Sequence, residues 1–262
     1  MTKKVVISGS ASGIGAATAA RLSRDGFSVF GIDRAGADCN VDLGTKAGRD
    51  SAVAAALAFS DGALDALVPC AGISGLPDRP GSLVASVNYF GTISLIEGLR
   101  GVLAAATSSS VVAISSNSTT TQPGVPMDVV DACLAEDEVL ARDLADAASS
   151  IATYPATKLA LAWWIRAMSV DPNYIGHGIH LNAIAPGMIE TAMVQEGRND
   201  PTIGKFFDLF PIPRGQTGRP EEIAGVISML LSEVGRNFVG SVLFVDGGTD
   251  ALNRTRDFPT PL

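Results

Sequence analysis

Short apolar stretches alternate with longer segments rich in Ala, Leu and Arg along most of the chain. The short stretches are KVVISG, SVFGID, ALVPCAG, SVVAISS, IHLNAIAPG and VGSVLFVDGG. Such runs are typical of buried strands, and their alternation with helical segments predicts βαβ units around a parallel sheet. We therefore predict an α/β fold: a doubly wound parallel sheet, or Rossmann fold, with helices on both faces.

Length and composition favour one domain over residues 1–262. With 262 residues, of which 47% are hydrophobic, the chain can bury one large core. Neither an internal repeat nor a linker interrupts the pattern.

The segment between Ser116 and Tyr154, about 117–153, departs from the alternation. NSTTTQPGVP is followed there by MDVVDACLAEDEVLARDLADAASS, which predicts an inserted acidic helix with one apolar stripe. The stripe consists of Val130, Cys133 or Leu134, Leu140 and Leu144. Three interpretations stay open: a surface helix with a solvated acidic face, a lid or wall over a substrate pocket, and a modified subunit interface.

A second segment, about 188–214, is rich in Met, Phe and Pro. Flexible loops of this composition often close over an apolar ligand, so the segment predicts a substrate loop. A packed loop or a dimer contact would use the same residues.

Charge and hydropathy restrict the partners. The net charge of −8 disfavours sequence-independent binding to nucleic acid, which needs a basic surface. No apolar run approaches the length of a bilayer-spanning helix, and MTKKVVISGS turns into a glycine-rich loop before a signal peptide could form. We expect a cytoplasmic protein whose partner is a small molecule, with no membrane and no nucleic acid bound.

The cysteines and histidines do not form a recognisable metal motif. Cys39, Cys70 and Cys133 are odd in number and contain no CxxC pair, and His177 and His180 alone do not supply converging ligands. We expect neither a structural disulfide nor a metal.

The stretch SGSASGIGAATAARL follows the first predicted strand and leads into an alanine-rich helix. Its glycines, Gly9, Gly13 and Gly15, would let the backbone approach a pyrophosphate at the positive end of that helix. Asp33 ends the next strand about twenty residues later, where a carboxylate accepts the ribose hydroxyls of NAD and repels a 2′-phosphate. The sequence therefore predicts NAD in preference to NADP, although Arg34 could pair with that phosphate.

Two further segments are candidates for the same cofactor site. Asp42, in NVDLG, could accept a hydrogen bond from the adenine amino group or could simply cap a helix. Cys70, Ala71 and Gly72, in VPCAGIS, end a strand where small residues would let a cofactor pass close by.

The stretch YPATK places Tyr154 and Lys158 four residues apart, on one face of a helix. A phenol is a poor base at neutral pH, but a nearby positive charge favours its ionised form. We expect Lys158 to supply that charge, so that Tyr154 takes a hydroxyl proton while hydride leaves the same carbon, and returns the proton in the reverse direction.

The ordered motifs SGSASGIG, CAG, SVNYFG, AISS, YPATK, APG and VDGG resemble the short-chain dehydrogenase/reductase family over essentially the whole chain. The resemblance implies NAD(P)-dependent hydride transfer between an alcohol and a ketone on one Rossmann domain, usually in a dimer or tetramer. The inserted segment, VPCAG and SVNYFG resemble the branch of bacterial 3α-hydroxysteroid dehydrogenase/carbonyl reductases. That branch implies a small apolar alcohol or ketone as substrate, and a steroid is one candidate.

The resemblance also assigns residues. It implies a catalytic group of Tyr154, Lys158, Ser116 (with Ser115 as its neighbour) and Asn88, whose backbone would hold a water near Lys158. It implies that Pro186 and Gly187 lie beside the nicotinamide and that Ile189 and Thr191 hold its carboxamide. The full expected cofactor set is Gly9, Ser12, Gly13, Ile14, Gly15, Asp33, Asp42, Leu43, Cys70, Ala71, Gly72, Tyr154, Lys158, Pro186, Gly187, Ile189 and Thr191.

The chain departs from the family pattern at three places. Ser8 stands where many members have threonine, Cys70 replaces the asparagine of the common NAG motif, and the spacing from Ser116 to Tyr154 is longer than in most relatives. Because the insertion could cover one dimer contact of the family, we predict a homodimer, with a tetramer as the alternative.

Other functions are weighed against this one. The same chemistry could act on a terpene alcohol, a quinone or a xenobiotic carbonyl. A cofactor-sensing protein without turnover is a different class, but such proteins usually lose the tyrosine or lysine, and this chain keeps both. A sugar-nucleotide epimerase would need a second lobe, for which the chain has no room.

Overall fold

The computed structural model describes residues 2–258, which form a seven-stranded parallel sheet with helices on both faces. The strands are β1 (Lys4–Ser8), β2 (Ser28–Asp33), β3 (Cys39–Asn40), β4 (Ala66–Pro69), β5 (Ser109–Ile114), β6 (Ile179–Pro186) and β7 (Val242–Val245). Their spatial order is β3-β2-β1-β4-β5-β6-β7. This is the order of a doubly wound dinucleotide-binding sheet, so the predicted fold is confirmed.

The helices follow the strands as the sequence pattern predicts. They are α1 (Gly13–Arg24), α2 (Lys46–Ser60), α3 (Gly81–Ala85), α4 (Gly91–Ala104), α5 (Ser118–Thr121), α6 (Met127–Leu134), α7 (Glu138–Ala148), α8 (Ser150–Ser169), α9 (Ala192–Asn199), α10 (Gly204–Asp208), α11 (Pro220–Leu230) and α12 (Thr249–Asn253). A π-helical turn, Ser86–Phe90, joins α3 to α4. Short 3₁₀ turns, Ile175–His177 and Glu233–Asn237, precede β6 and β7.

Alternate residues of each strand face two separate cores. In β1, Val6 packs into the core formed with α2, α4 and α8, whereas Val5 and Ile7 pack into the core formed with α1 and α11. Burial on both faces explains why the strands are continuous apolar runs in the sequence. The carboxyl ends of the strands remain accessible, and the order reverses between β1 and β4, where ligands bind in folds of this type.

The inserted segment contains two main helices, whereas the sequence predicted one. Helices α6 and α7 are separated by three residues, of which Glu136 adopts a left-handed conformation with φ 57°. Asp137 then caps α7 by accepting a hydrogen bond from the backbone N–H of Leu140 at 3.0 Å. The break restarts the helical phase, so a single stripe could not continue through it.

The predicted apolar stripe is therefore correct for α6; in α7 it is correct for Leu144, which packs against the core, and wrong for Leu140. Val130 and Cys133 are fully buried, but Leu140 is 47% exposed and Ala141 and Ala145 are buried instead. Helix α6 packs on α8, and α7 packs on α3. The insertion is thus a part of the core with an acidic outer face, and not only a solvated surface helix.

The segment 188–214 contains α9 and α10 and is not an irregular loop. Thr191 caps α9 by accepting a hydrogen bond from the N–H of Val194 at 3.3 Å. The two helices touch closely, since a Cβ at Gly197 would lie 2.3 Å from the ring of Phe207. Within residues 2–258, the helices are too short or too polar to cross a bilayer.

Candidate active site

The glycine-rich turn between β1 and α1 lies directly against the end of β4. Gly9 has φ 68°, and a Cβ on it would lie 2.8 Å from the backbone nitrogen of Ala71. A Cβ on Gly15 would lie 2.0 Å from the carbonyl oxygen of Gly9. Only glycine fits this approach of turn, helix and strand.

The first amides of α1 are available to a ligand. Ser12 precedes the helix, but its side chain accepts no capping hydrogen bond from it, and the first turn carries no acidic residue. Free N–H groups at the positive end of a helix are suited to a phosphate. The turn and the helix start therefore fit the pyrophosphate of a dinucleotide.

Asp33 is fixed at the end of β2 and faces the same cavity. Its Oδ2 accepts a hydrogen bond from the N–H of Ala11 at 3.0 Å, and its Oδ1 accepts one from the N–H of Arg34 at 2.7 Å. Both Asp33 and Arg34 line the cavity. The carboxylate is thus held in position by the backbone, while the Arg34 side chain forms one side of the same opening.

Asp42 is not the helix cap that the sequence left open. Thr45 caps α2 by accepting a hydrogen bond from the N–H of Gly48 at 3.1 Å, whereas Asp42 Oδ1 accepts one from the N–H of Gly44 at 2.8 Å. This turn points Asp42 and Leu43 into the cavity. The role in adenine binding stays a prediction.

The end of β4 is held by Ser8, the residue that replaces the family's threonine. The Ser8 hydroxyl accepts a hydrogen bond from the N–H of Ala71 at 3.2 Å, so the exchange keeps the contact. Cys70 borders the cavity, and burial raises the pKa of its thiol to about 12. The thiol is therefore an unreactive wall of the site.

Tyr154 and Lys158 lie on α8, one turn apart, at the bottom of the cavity. The Lys158 Nζ is 5.9 Å from the centre of the Tyr154 ring and donates a hydrogen bond to the carbonyl oxygen of Ile114 at 2.8 Å. Lys158 is 4% exposed. The ammonium is thus held near the phenol by the last carbonyl of β5.

Burial acts on the protonation of both members of this pair. Burial raises the pKa of the Tyr154 phenol, and the hydrogen bond with Ser116 only partly opposes it. Burial also lowers the pKa of Lys158 to about 8, against a smaller raising effect of Cys70. Burial therefore favours the protonated phenol in the protein alone, and the expected lowering of the Tyr154 pKa by Lys158 and the bound cofactor stays a prediction.

The two serines that end β5 have separate roles. Ser116 hydrogen-bonds the Tyr154 phenol, and its Oγ accepts a hydrogen bond from the N–H of Ser118 at 3.1 Å. Ser115 instead donates to the carbonyl oxygen of Lys158 at 2.8 Å, within α8. Ser116 is the serine that faces Tyr154, as predicted, and Ser115 joins the strand to the helix.

Asn88 contacts the site mainly through its side chain. Its amide accepts a hydrogen bond from the N–H of Ile73 at 2.8 Å and donates one to the Ile73 carbonyl at 3.0 Å. Its backbone carbonyl accepts a hydrogen bond from the Thr92 hydroxyl at 3.0 Å. A Cβ at Gly72 would lie 3.2 Å from the Asn88 amide oxygen and 3.4 Å from the Lys158 Nζ. The expected water at the Asn88 backbone stays a prediction, and the clamp on Ile73 is a contact that the sequence did not reveal.

One cavity of about 320 Å³ brings the predicted residues together. Apart from Asn88, which lies behind its wall, all of them line it: Gly9, Ser12, Gly13, Ile14, Gly15, Asp33, Asp42, Leu43, Cys70, Ala71, Gly72, Ser116, Tyr154, Lys158, Pro186, Gly187, Ile189 and Thr191. The sequence reasoning missed the apolar lining at Val41, Leu83, Val87 and Met193. Three of these four carried a signal: Val41 lies in NVDLG, Val87 in SVNYFG, and Met193 in the predicted substrate loop.

Polar side chains fix the start of α9 beside this cavity. The Glu190 carboxylate accepts hydrogen bonds from the Thr217 hydroxyl at 2.6 Å and from Arg198 and Gln195 at 2.9 Å each. The hydrogen bond from Thr217 and the Arg198 guanidinium hold the pKa of Glu190 below its usual value.

A second ion pair joins α9 to the loop before α3. Arg79 contacts Glu196 at 2.9 Å and also donates to Ser74. The segment 188–199 is thus attached to the loop before α3 by an ion pair and to Thr217 by a hydrogen bond.

The described residues contain neither a disulfide nor a cluster of metal ligands. Cys39, Cys70 and Cys133 are free thiols. No three His, Cys, Asp or Glu side chains within 2–258 converge as metal ligands.

Comparison with known proteins finds family matches that together cover most of the chain. Residues 3–127 match the short chain dehydrogenase family, and residues 139–250 match the family described as Enoyl-(Acyl carrier protein) reductase. The chain is 35% identical over 257 residues to the 3-alpha-hydroxysteroid dehydrogenase/carbonyl reductase of Comamonas testosteroni, which covers 97% of this chain and 99% of that protein. It is 29% identical over 259 residues to the 3beta-hydroxysteroid dehydrogenase 1 of Eggerthella lenta, covering 94% and 93% of the two chains.

A solved structure is also similar over nearly the whole chain. The 3-alpha-hydroxysteroid dehydrogenase from Pseudomonas sp. B-0831, complexed with NADH, shares 41% identity and superimposes with a TM-score of 0.93. The match covers 98% of this chain and 100% of that one.

Proposed function

Since this chain belongs to the short-chain dehydrogenase/reductase family and is an NAD(P)-dependent oxidoreductase of hydroxyl and carbonyl groups, we propose that it is a 3α-hydroxysteroid dehydrogenase/carbonyl reductase that uses NAD. The observation that carries the proposal is the full-length similarity to the two 3-alpha-hydroxysteroid dehydrogenases. The substrate is a steroid or a comparably bulky apolar alcohol or ketone.

The cofactor's place follows from the fit of the cavity. The amides of the glycine-rich turn and of the start of α1 would hold the pyrophosphate, Asp33 and Asp42 the adenosine half, and Gly187, Ile189 and Thr191 the nicotinamide half. When bound, the cofactor supplies or accepts the hydride. The missing Cβ at Gly9 lets the glycine-rich turn approach Ala71, and the missing Cβ at Gly72 leaves room for the Asn88 amide and the Lys158 ammonium.

Tyr154 and Ser116 act on the substrate oxygen. Both hydroxyls face the cavity, and they hydrogen-bond each other. In ketone reduction, the Tyr154 Oη gives its proton to the substrate oxygen, and the Ser116 hydroxyl stabilises the charge that develops on that oxygen. In alcohol oxidation, Tyr154 takes the proton from the substrate hydroxyl.

Lys158 contributes positive charge and orientation. Its ammonium lies beside the phenol and is anchored on the Ile114 carbonyl. Asn88 supports it from behind by fixing the Ile73 backbone next to Gly72. These two residues are the proposed path by which the proton at Tyr154 exchanges with solvent.

The preference for NAD rests on Asp33. A carboxylate whose two oxygens are held by backbone N–H groups cannot easily turn away from a 2′-phosphate, so it would repel that group. Arg34 is the residue that would favour NADP, and it lines the same opening.

We further propose that the protein is a homodimer in the cytoplasm. Support for the dimer comes from α6 and α7, which cover part of α8 and α3 and so reduce the helical surface open to a second pair of subunits. Light scattering on the purified protein tests it, and a mass of four chains would contradict it.

The test of the activity is the absorbance of the reduced nicotinamide with androsterone as substrate, offered with NAD and, separately, with NADP. Reduction of NAD that is much faster than that of NADP supports both the substrate class and the role of Asp33. The Tyr154→Phe variant should bind NADH as the wild type does and lose turnover by a factor of about 100 or more. Full activity in that variant would refute the mechanism, and no reaction with any 3α-hydroxysteroid would refute the substrate class.

A further inference from the structure

A partly buried ion pair joins the inserted helix α7 to α2: the Arg49 side chain is 6% exposed and the Glu138 side chain 29%. The Arg49 guanidinium contacts both carboxylate oxygens of Glu138, at 3.0 and 2.6 Å. Ser86 donates a hydrogen bond to the same carboxylate at 3.1 Å, and Arg142 donates one to the Ser86 hydroxyl at 2.7 Å. Two contacts in fixed geometry make this pair far more constrained than the surface ion pairs of the chain.

On the α2 side, the pair is one helical turn from the cavity lining. The Arg49 N–H donates to the Thr45 carbonyl at 3.0 Å, and the Thr45 N–H donates to the Asp42 carbonyl at 3.2 Å. A Cβ at Gly48 would lie 1.9 Å from the carbonyl oxygen of Asp42. The start of α2 therefore cannot shift without moving the turn that carries Asp42 and Leu43.

On the other side, the pair holds the π-helical turn. Ser86 is its first residue, and Val87, the next one, lines the cavity. A Cβ at Gly44 would lie 3.2 Å from the side chains of both Leu83 and Val87, so the two walls are in close contact. The Arg49–Glu138 pair thus connects the two walls that flank the end of the cavity opposite Tyr154.

We propose that Arg49 and Glu138 are positioning residues for the adenosine half of the cofactor. The inference rests on the proposed function, because it takes the end of the cavity at Asp33 and Asp42 to be the adenosine end. The pair touches neither cofactor nor substrate. It sets the width of the adenosine site by holding the 42–44 turn against Leu83 and Val87, and it gives the inserted helix a part in cofactor binding.

Calorimetric titration of the folded protein with NADH and with ADP-ribose tests the inference. Glu138→Gln keeps the shape of the side chain but removes its charge, and should raise the Kd of both ligands by about 2- to 30-fold. The KM for NAD should rise by the same factor, while kcat at saturating cofactor stays within about 2-fold, since the chemical end of the cavity is unchanged. The double variant Arg49→Met/Glu138→Met removes both charges together, and it takes the place of Glu138→Gln in these titrations if the single variant does not fold.

The control is Asp50→Asn, which breaks an exposed ion pair with Lys46 on the same helix and should leave both Kd values unchanged. Unchanged Kd values for NADH and ADP-ribose in a folded Glu138 variant would overturn the inference. A loss of NADH affinity without a loss of ADP-ribose affinity would also overturn it, because the effect would then lie at the nicotinamide end. Failure of the wild type to bind NADH would refute the proposed function itself.

Discussion

Replacement of Lys158 by methionine should abolish turnover and yet stabilise the folded protein at neutral pH. Lys158 is 4% exposed and has no carboxylate within ion-pair distance among the described residues. The folded protein therefore bears the cost of a buried ammonium, which a methionine of similar length would remove.

The magnitude follows from the pKa. Burial lowers the pKa of Lys158 from its ordinary 10.5 to about 8. This lowering corresponds to about 3 kcal/mol of destabilisation when the group is charged in both states. The variant also loses the 2.8 Å hydrogen bond to the Ile114 carbonyl. Because an unsatisfied buried carbonyl costs about 1 kcal/mol or more, the net gain at pH 7 should be about 2 kcal/mol.

The sign of the pH dependence is opposite to that of a lysine in a salt bridge. Below about pH 8 the ammonium is charged in the folded and unfolded states, and the full cost is present. Above that pH the folded protein binds fewer protons than the unfolded chain, so the stability of the wild type rises with pH. The advantage of Lys158→Met should therefore shrink by about 2 kcal/mol between about pH 7 and pH 9.5.

Urea unfolding of the two proteins at several pH values measures this difference directly. Lys46→Met serves as the control, since Lys46 is 80% exposed in its side chain, and should change stability by less than about 0.5 kcal/mol. The reasoning is refuted if Lys158→Met is less stable than the wild type at pH 7 and the difference does not vary with pH.

Three further predictions concern the cavity itself. Asp33→Ser removes the carboxylate that we propose faces the ribose, and it should shift the ratio of kcat/KM for NAD over NADP towards NADP by about 10-fold or more, in steady-state assays with both cofactors. An unchanged ratio would contradict the role of Asp33. Glu196→Gln breaks a half-exposed ion pair with Arg79 and should raise the substrate KM by up to about 5-fold with little change in kcat. High salt should abolish the contribution of this ion pair in the wild type as well. Equal KM values of the wild type and the variant at low salt would exclude such a contribution. Because burial raises the pKa of Tyr154, the rate of ketone reduction should stay constant from neutral into alkaline pH, while the rate of alcohol oxidation should rise over the same range. Measured pH profiles of both directions test this. An oxidation rate that falls over that range would contradict it.

The layers of the fold were predictable because they depend on local patterns. Continuous apolar strands such as KVVISG can only be buried on both faces, and the glycines at 9 and 15 require close contact between turn and helix. The division of the insertion into α6 and α7 was not predictable in this way. It depends on one residue, Glu136, in a left-handed conformation, and on which side of α7 meets α3. Alanines at 141 and 145 carry no hydrophobic signal that would outweigh Leu140 and Leu144.

In the site, the grouping of the candidate residues around one cavity was predictable, and their energies were not. The spacing of Tyr154 and Lys158 places them on one helix face, but the depth of the cavity decides whether charge or desolvation controls their pKa values. Contacts between distant segments were equally hidden, as between Arg49 and Glu138. Neither residue belongs to a motif, and each alone would be taken for a solvated charge.

The hydrogen bonds at the bottom of the cavity separate the chemistry from the choice of substrate. Lys158, Ser115 and Asn88 each direct a side-chain hydrogen bond to the main chain of another element, so their positions are fixed by the fold. Only the hydroxyls of Tyr154 and Ser116 remain directed at the cavity and at each other. By contrast, the segment 188–214 is held at its two ends by backbone hydrogen bonds to Gly218 and Gly247, and it carries exposed apolar side chains in and after α10. Substitutions in α9 and α10 should therefore change which alcohols react, whereas the proposed proton transfer at Tyr154 depends on contacts that they do not reach.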